Sequence, residues 1–172
     1  MNKRMSALKF ALENERNEYE FYMDNARRIK NLAGKNMFKQ IASEEKEHYE
    51  ILSMLHDKWE MQKQWPATVP LKVKESLVGI ILKSMAGKKS SRMRGNEDDL
   101  KAIRTAIDFE ARGVDLYTKL EKGSTDPKEK AFFNLIAGIE RTHFLSLRET
   151  EEFLTDPVSW YQNAEKTTMD GA

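Results

Sequence analysis

Apolar residues recur at steps of three and four along four stretches of the chain. Leu8, Leu12, Tyr19, Tyr22, Ala26 and Ile29 form the first set, and Phe38, Ile41, Leu52, Leu55 and Trp59 the second. Leu100, Ile103, Ile107, Val114 and Tyr117 form the third, and Phe133, Ile136, Leu147 and Leu154 the fourth. Such spacing places each set on one stripe of a helix, the inward seam of a bundle. No stretch alternates as a strand would. The pattern predicts an all-α protein with helices over about 3–30, 36–61, 97–122 and 127–155.

The breaks suit this reading. Asn31-Leu-Ala-Gly34 separates the first two helices, and Gly123-Ser-Thr-Asp-Pro127 the last two, with Thr125 or Asp126 as a helix cap. Short loops make each pair an antiparallel hairpin. The segment over about 62–96, with Pro66, Pro70 and an apolar stretch from Leu77 to Leu82, reads as a long crossover between the hairpins. Asp156-Pro157 is expected to end the fourth helix, leaving an irregular tail over 157–172 docked by Trp160 and Tyr161. The whole of 1–172 reads as one domain.

The two hairpins are a repeat. A shift of 95 residues, without gaps, lays Leu8 on Ile103, Glu15 on Glu110, Tyr22 on Tyr117, Phe38 on Phe133, Glu45 on Glu140 and His48 on His143.

Polar residues interrupt the stripes. Glu15, Glu45, His48, Glu110, Glu140 and His143 all occupy seam positions, and no Lys or Arg joins them there. An ionised carboxylate taken out of water costs several kcal/mol or becomes neutral, so four in one core need a common compensator. Two divalent cations supply it, charge for charge. The first turn lies close to the midpoint between Glu15 and Glu45, and the last spans the midpoint between Glu110 and Glu140, so the two acids of each pair lie at similar depth. Glu45 with His48, and Glu140 with His143, are i, i+3 neighbours whose ligand atoms converge. Two single-Glu helices and two Glu-x-x-His helices make the inward ligand pattern of dimetal carboxylate bundles. Oxygen and imidazole donors suit iron or manganese, with zinc also open. Tyr22 and Tyr117 share the stripe and read either as hydrogen-bond partners of ligand carboxylates or as core aromatics. His56, whose repeat mate is Glu151, reads as a surface residue or as a hydrogen-bond partner behind a ligand.

The 172 residues carry a net charge of +1, which gives no global attraction for nucleic acid or a membrane surface. They hold no Cys, excluding disulfides, thiolate metal sites and a cysteine nucleophile. Gly87-Lys88 lacks the rest of a phosphate-binding loop. The start is no signal peptide and no apolar run spans a bilayer, so a cytoplasmic location is expected.

On Ala11-Leu-Glu-Asn-Glu15 through Tyr22, Phe38 through Ile41-Ala42-Ser-Glu-Glu45-Lys-Glu-His48, Ala106 through Glu110 and Tyr117, and Phe133 through Glu140-Arg-Thr-His143, the chain resembles the rubrerythrin branch of the ferritin-like superfamily, over about 5–155. The resemblance implies a ferritin-like four-helix bundle and two iron ions held by Glu15, Glu45, His48, Glu110, Glu140 and His143, with Glu45 and Glu140 as bridges. It implies an oxidoreductase that reduces hydrogen peroxide or dioxygen. Two features depart from rubrerythrins proper. Their third helix carries a second carboxylate where this chain has Gly113, and their rubredoxin module needs four Cys. Electrons are therefore expected from an external donor such as a rubredoxin. A non-catalytic iron store or buffer and a zinc-filled structural bundle are the competing readings. The apolar crossover suggests either a homodimer or packing of that segment on its own bundle.

Overall fold

The computed structural model describes the backbone of residues 3–62 and 94–169 and the side chains of 7–62 and 94–163. Nearly all of the expected crossover, including Leu77–Leu82, lies outside the described residues. Those residues form five helices and no strand: α1 (Lys3–Arg28), α2 (Leu32–Gln62), α3 (Glu97–Gly123), α4 (Pro127–Thr155) and α5 (Pro157–Met169).

From α2 onward, each helix starts on a side chain that accepts the free amides of its first turn. The Asn31 carboxamide oxygen accepts from the amides of Ala33 at 2.8 Å and Gly34 at 3.3 Å. This pulls Leu32, Ala33 and Gly34, expected as turn, into the first turn of α2. Asn96 caps α3 through the Asp99 amide at 2.8 Å, with Glu97, Asp98 and Asp99 favourably placed at the positive end of the helix dipole. Asp126, rather than Thr125, caps α4, accepting from Lys128 and Glu129, with Pro127 opening the helix.

The tail is not irregular. Asp156 ends α4, and its carboxylate accepts from the Ser159 amide at 3.2 Å and the Ser159 hydroxyl at 2.7 Å, which nucleates α5. Pro157 cannot continue α4 but is well placed in a first turn. Trp160 and Tyr161 then stack edge-on against Phe153, with ring centroids 5.3 and 6.0 Å away. The expected docking by these two rings is present, on a helix.

α1 packs along α2, and α3 along α4, far more extensively than α1 meets α3 or α2 meets α4. Two apolar clusters fill the ends of the bundle. One gathers Ala26 and Ile29 from the end of α1, Ala33 and Met37 from the start of α2, Ile103 and Ala106 from the start of α3, and Phe153 and Leu154 from the end of α4. The other gathers Leu8, Leu55, Trp59, Tyr117 and Phe132 from the opposite ends. Thus α1 and α4 run one way and α2 and α3 the other. α2 finishes at the far end from where α3 begins, the geometry that demands a long crossover. Asp99 ties the hairpins at one end, accepting from the Lys30 amide at 3.0 Å and the Asn31 amide at 3.2 Å.

Candidate metal centre

Between the two apolar clusters lies a polar layer. Glu15, Glu45, Glu110, Glu140 and His143 have no solvent exposure, and His48 has 1%. Each comes from the middle of a long helix, where the 3.6-residue period turns it inward along with its apolar neighbours.

Ligand atoms of Glu15, Glu45, His48 and Glu140 all lie within 4.8 Å of one another, and so do those of Glu45, Glu110, Glu140 and His143. Glu45 and Glu140 belong to both groups. The structure therefore brings together all six residues that the sequence singles out. His48 turns Nδ1 inward, 3.0 Å from Glu45 Oε2, 3.2 Å from Glu15 Oε2 and 3.9 Å from Glu140 Oε1. His143 also turns Nδ1 inward, 3.0 Å from Glu45 Oε1 and 3.5 Å from Glu110 Oε2. The imidazoles lie nearly parallel, 6.1 Å apart and inclined by 21°.

The donor set fits a pair of cations. Both oxygens of Glu140, Glu45 Oε1, Glu110 Oε2 and His143 Nδ1 are buried without a hydrogen-bond partner. Carboxylates in such proximity repel, and without bonds of their own they suit a positive charge at their common focus. Hard oxygen donors with imidazole nitrogen suit a first-row divalent metal.

The electrostatics follow from burial and crowding. Burial, then the Glu45 charge, pushes the Glu15 carboxyl up to about 8. Burial and the surrounding glutamates likewise push Glu140 well up. Burial would raise Glu45 too, but the His48 and His143 imidazoles on either side hold it below the usual carboxylate range. Burial opposes the charge on His48, yet Glu45 and Glu15 raise it to about 10, and Glu110, Glu44 and Glu45 raise His143.

Tyr22 and Tyr117 are hydrogen-bond partners of the acids as well as core aromatics. The Tyr22 hydroxyl donates to Glu110 Oε1, and the Tyr117 hydroxyl donates to Glu15 Oε1. Burial and these carboxylates push both phenols well above their ordinary range, so each hydroxyl keeps its proton and remains a donor. His56 takes no part, standing beside Asp57 at 3.4 Å.

Two carboxylates escape the sequence reading. Glu44 reaches across to His143 and meets Nε2 at 2.7 Å, holding the ring with Nδ1 inward. Its repeat mate is Ile139, so the repeat conceals it. Glu18 is 1% exposed and faces the same interior. The spacing Glu15-x-x-Glu18-x-x-x-Tyr22 puts it on the inward stripe, a signal available in the sequence.

An all-α bundle with this interior has the donor set of a carboxylate bundle that could hold metal. The family profile described as Rubrerythrin matches residues 6–151, most of the chain, and the chain belongs to the rubrerythrin family. No curated protein and no solved structure matches it. Among the described residues, no helix is long and apolar enough to cross a membrane.

Proposed function

We propose that the chain is a di-iron oxidoreductase that reduces hydrogen peroxide or dioxygen with electrons from a separate donor protein. The observation that carries this reading is the overlap of the two ligand groups through Glu45 and Glu140. Glu45 and Glu140, shared by both groups, would hold two ions together, and a ferrous pair bound there would supply the two electrons needed to turn peroxide and two protons into two waters.

The residues divide the work. Glu45 and Glu140 bridge the two positions. Glu15 with His48 serves one half, and Glu110 with His143 the other. Tyr22 and Tyr117 are positioning residues that fix Glu110 and Glu15 by donated hydrogen bonds. The apolar clusters at both ends keep bulk water from the acids. The chain has no Cys for a thiolate redox centre of its own, which supports an external, rubredoxin-like donor.

The test is stopped-flow oxidation of the ferrous protein. Oxidation by peroxide or dioxygen within seconds supports the reading. If both leave the protein ferrous for minutes while it retains its metal, the iron-buffer reading replaces it.

A further inference from the structure

Glu18 is a buried carboxylate beside the centre that the six-residue set does not use. It is 1% exposed, and neither of its oxygens has a hydrogen-bond partner. On α1 it stands between Glu15 and Tyr22, three residues past the first and four before the second. Tyr22 is bonded to Glu110, so this part of α1 faces the half of the centre that Glu110 and His143 build. The charges acting on the Glu18 carboxyl, besides its burial, are those of Glu45, Glu110 and Glu15 in that order.

The repeat shows what is unusual here. The mate of Glu18 is Gly113 on α3. A Cβ at Gly113 would come within 3.1 Å of Glu140 Oε2 and 3.3 Å of its carboxyl carbon, so the Glu140 side chain lies where a residue at 113 would project. A carboxylate is therefore added on the α1 side only, and the two halves differ by one acid.

We propose that Glu18 is a seventh metal-ligating side chain, serving the half-centre of Glu110 and His143. An ionisable group buried without any partner is costly unless something at that place compensates it. The neighbouring charged groups cannot, since they are themselves acids, and the Asn14 carboxamide beside Glu18 favours its charged form but brings no charge to balance it. A cation held by Glu110 and His143 can. Two dications balance the four other glutamates, so Glu18 gives this half an additional anionic donor that the His48 half lacks. The inference rests on the dimetal reading above.

Cobalt(II) titration of the metal-free full chain, followed by visible absorption, tests it. The wild type is expected to take up two equivalents. Glu18→Gln and Glu18→Ala should weaken one of them by about tenfold or more, the usual scale for disturbing a ligand shell. In a His48→Ala background the weakening should persist. In a His143→Ala background it should vanish, because the half it serves is already lost. The metal-free Glu18→Gln protein should melt higher than wild type, since a buried acid without a partner is gone, whereas a scaffold role would lower the melting temperature. Unchanged cobalt affinity in both Glu18 variants overturns the proposal and leaves the dimetal reading intact. Failure of the wild type to bind two equivalents overturns both.

Discussion

Tyr22 on α1 donates its hydroxyl hydrogen bond to Glu110 on α3, and its repeat mate Tyr117 on α3 returns one to Glu15 on α1. The exchange crosses from one hairpin to the other, so each hairpin orients an acid of its partner. Tyr22→Phe is expected to free the Glu110 carboxylate and weaken one equivalent of bound cobalt(II) about tenfold. Tyr117→Phe should do the same to the other equivalent. Competition against a chelator checks both, and an effect of Tyr22→Phe on neither equivalent would show that the phenol only fills space.

Glu44→Gln should act on one half of the centre alone. The Glu44 carboxylate holds His143 through Nε2, and no bond of this kind follows for His48 from the repeat, where Ile139 takes the place of Glu44. Loss of that hold is expected to cost between about 10- and 100-fold in affinity at the His143 half. Titration of Glu44→Gln in a His48→Ala background isolates it. A loss confined to the other half would refute the assignment.

The metal-free protein should lose stability as pH rises. Glu15 titrates near 8 when folded, far above its ordinary 4.5, so between these values the folded state holds a proton that the unfolded chain has released. His48, raised from 6.5 to about 10, behaves the same way at higher pH. Both contributions are complete below the unfolded values and vanish as pH climbs through the folded ones. The melting temperature of the apoprotein should therefore fall from pH 6 to pH 9. Metal loading must displace those protons, so metal affinity should rise over the same range. Thermal melts and a pH-stat titration of proton release measure the two halves of this prediction.

Asp99→Ala should destabilise the fold by about 1–3 kcal/mol, the scale for leaving buried donors without their acceptor. The carboxylate is 4% exposed and accepts from the Lys30 and Asn31 amides across the hairpin boundary. Chemical denaturation with an unchanged slope checks it. Asp99→Asn, which keeps one acceptor oxygen, should lose less.

Much of this architecture is legible in the chain because burial and helical period act together. A glutamate at a seam position, flanked by Leu12 and Tyr19 or by Ile136 and Leu147, has nowhere to point but inward. Duplication then confirms it, since Glu15, Glu45 and His48 each have a mate. The same duplication hides what is not repeated. Glu18 pairs with Gly113 and Glu44 with Ile139, so a search for matched residues passes over both. The last helix was hidden for another reason. Asp-Pro stops a helix and can also start one, and the choice at Asp156 depends on Ser159 and on Phe153 meeting Trp160 and Tyr161, contacts between helices that periodicity does not encode.

The uneven packing of the bundle has its own consequence. Each hairpin is closely knit, while the seam between them is joined at its two ends by apolar clusters and Asp99, and in its middle layer by two phenol bonds and the Glu44–His143 contact set among mutually repelling acids. Within that middle layer, much of the attraction is left to whatever cations the acids hold. A molecule starved of metal should thus slacken first at its waist, offering proteases a way in there before the oily ends give way, and its lifetime in a cell would follow the local supply of the ion it uses.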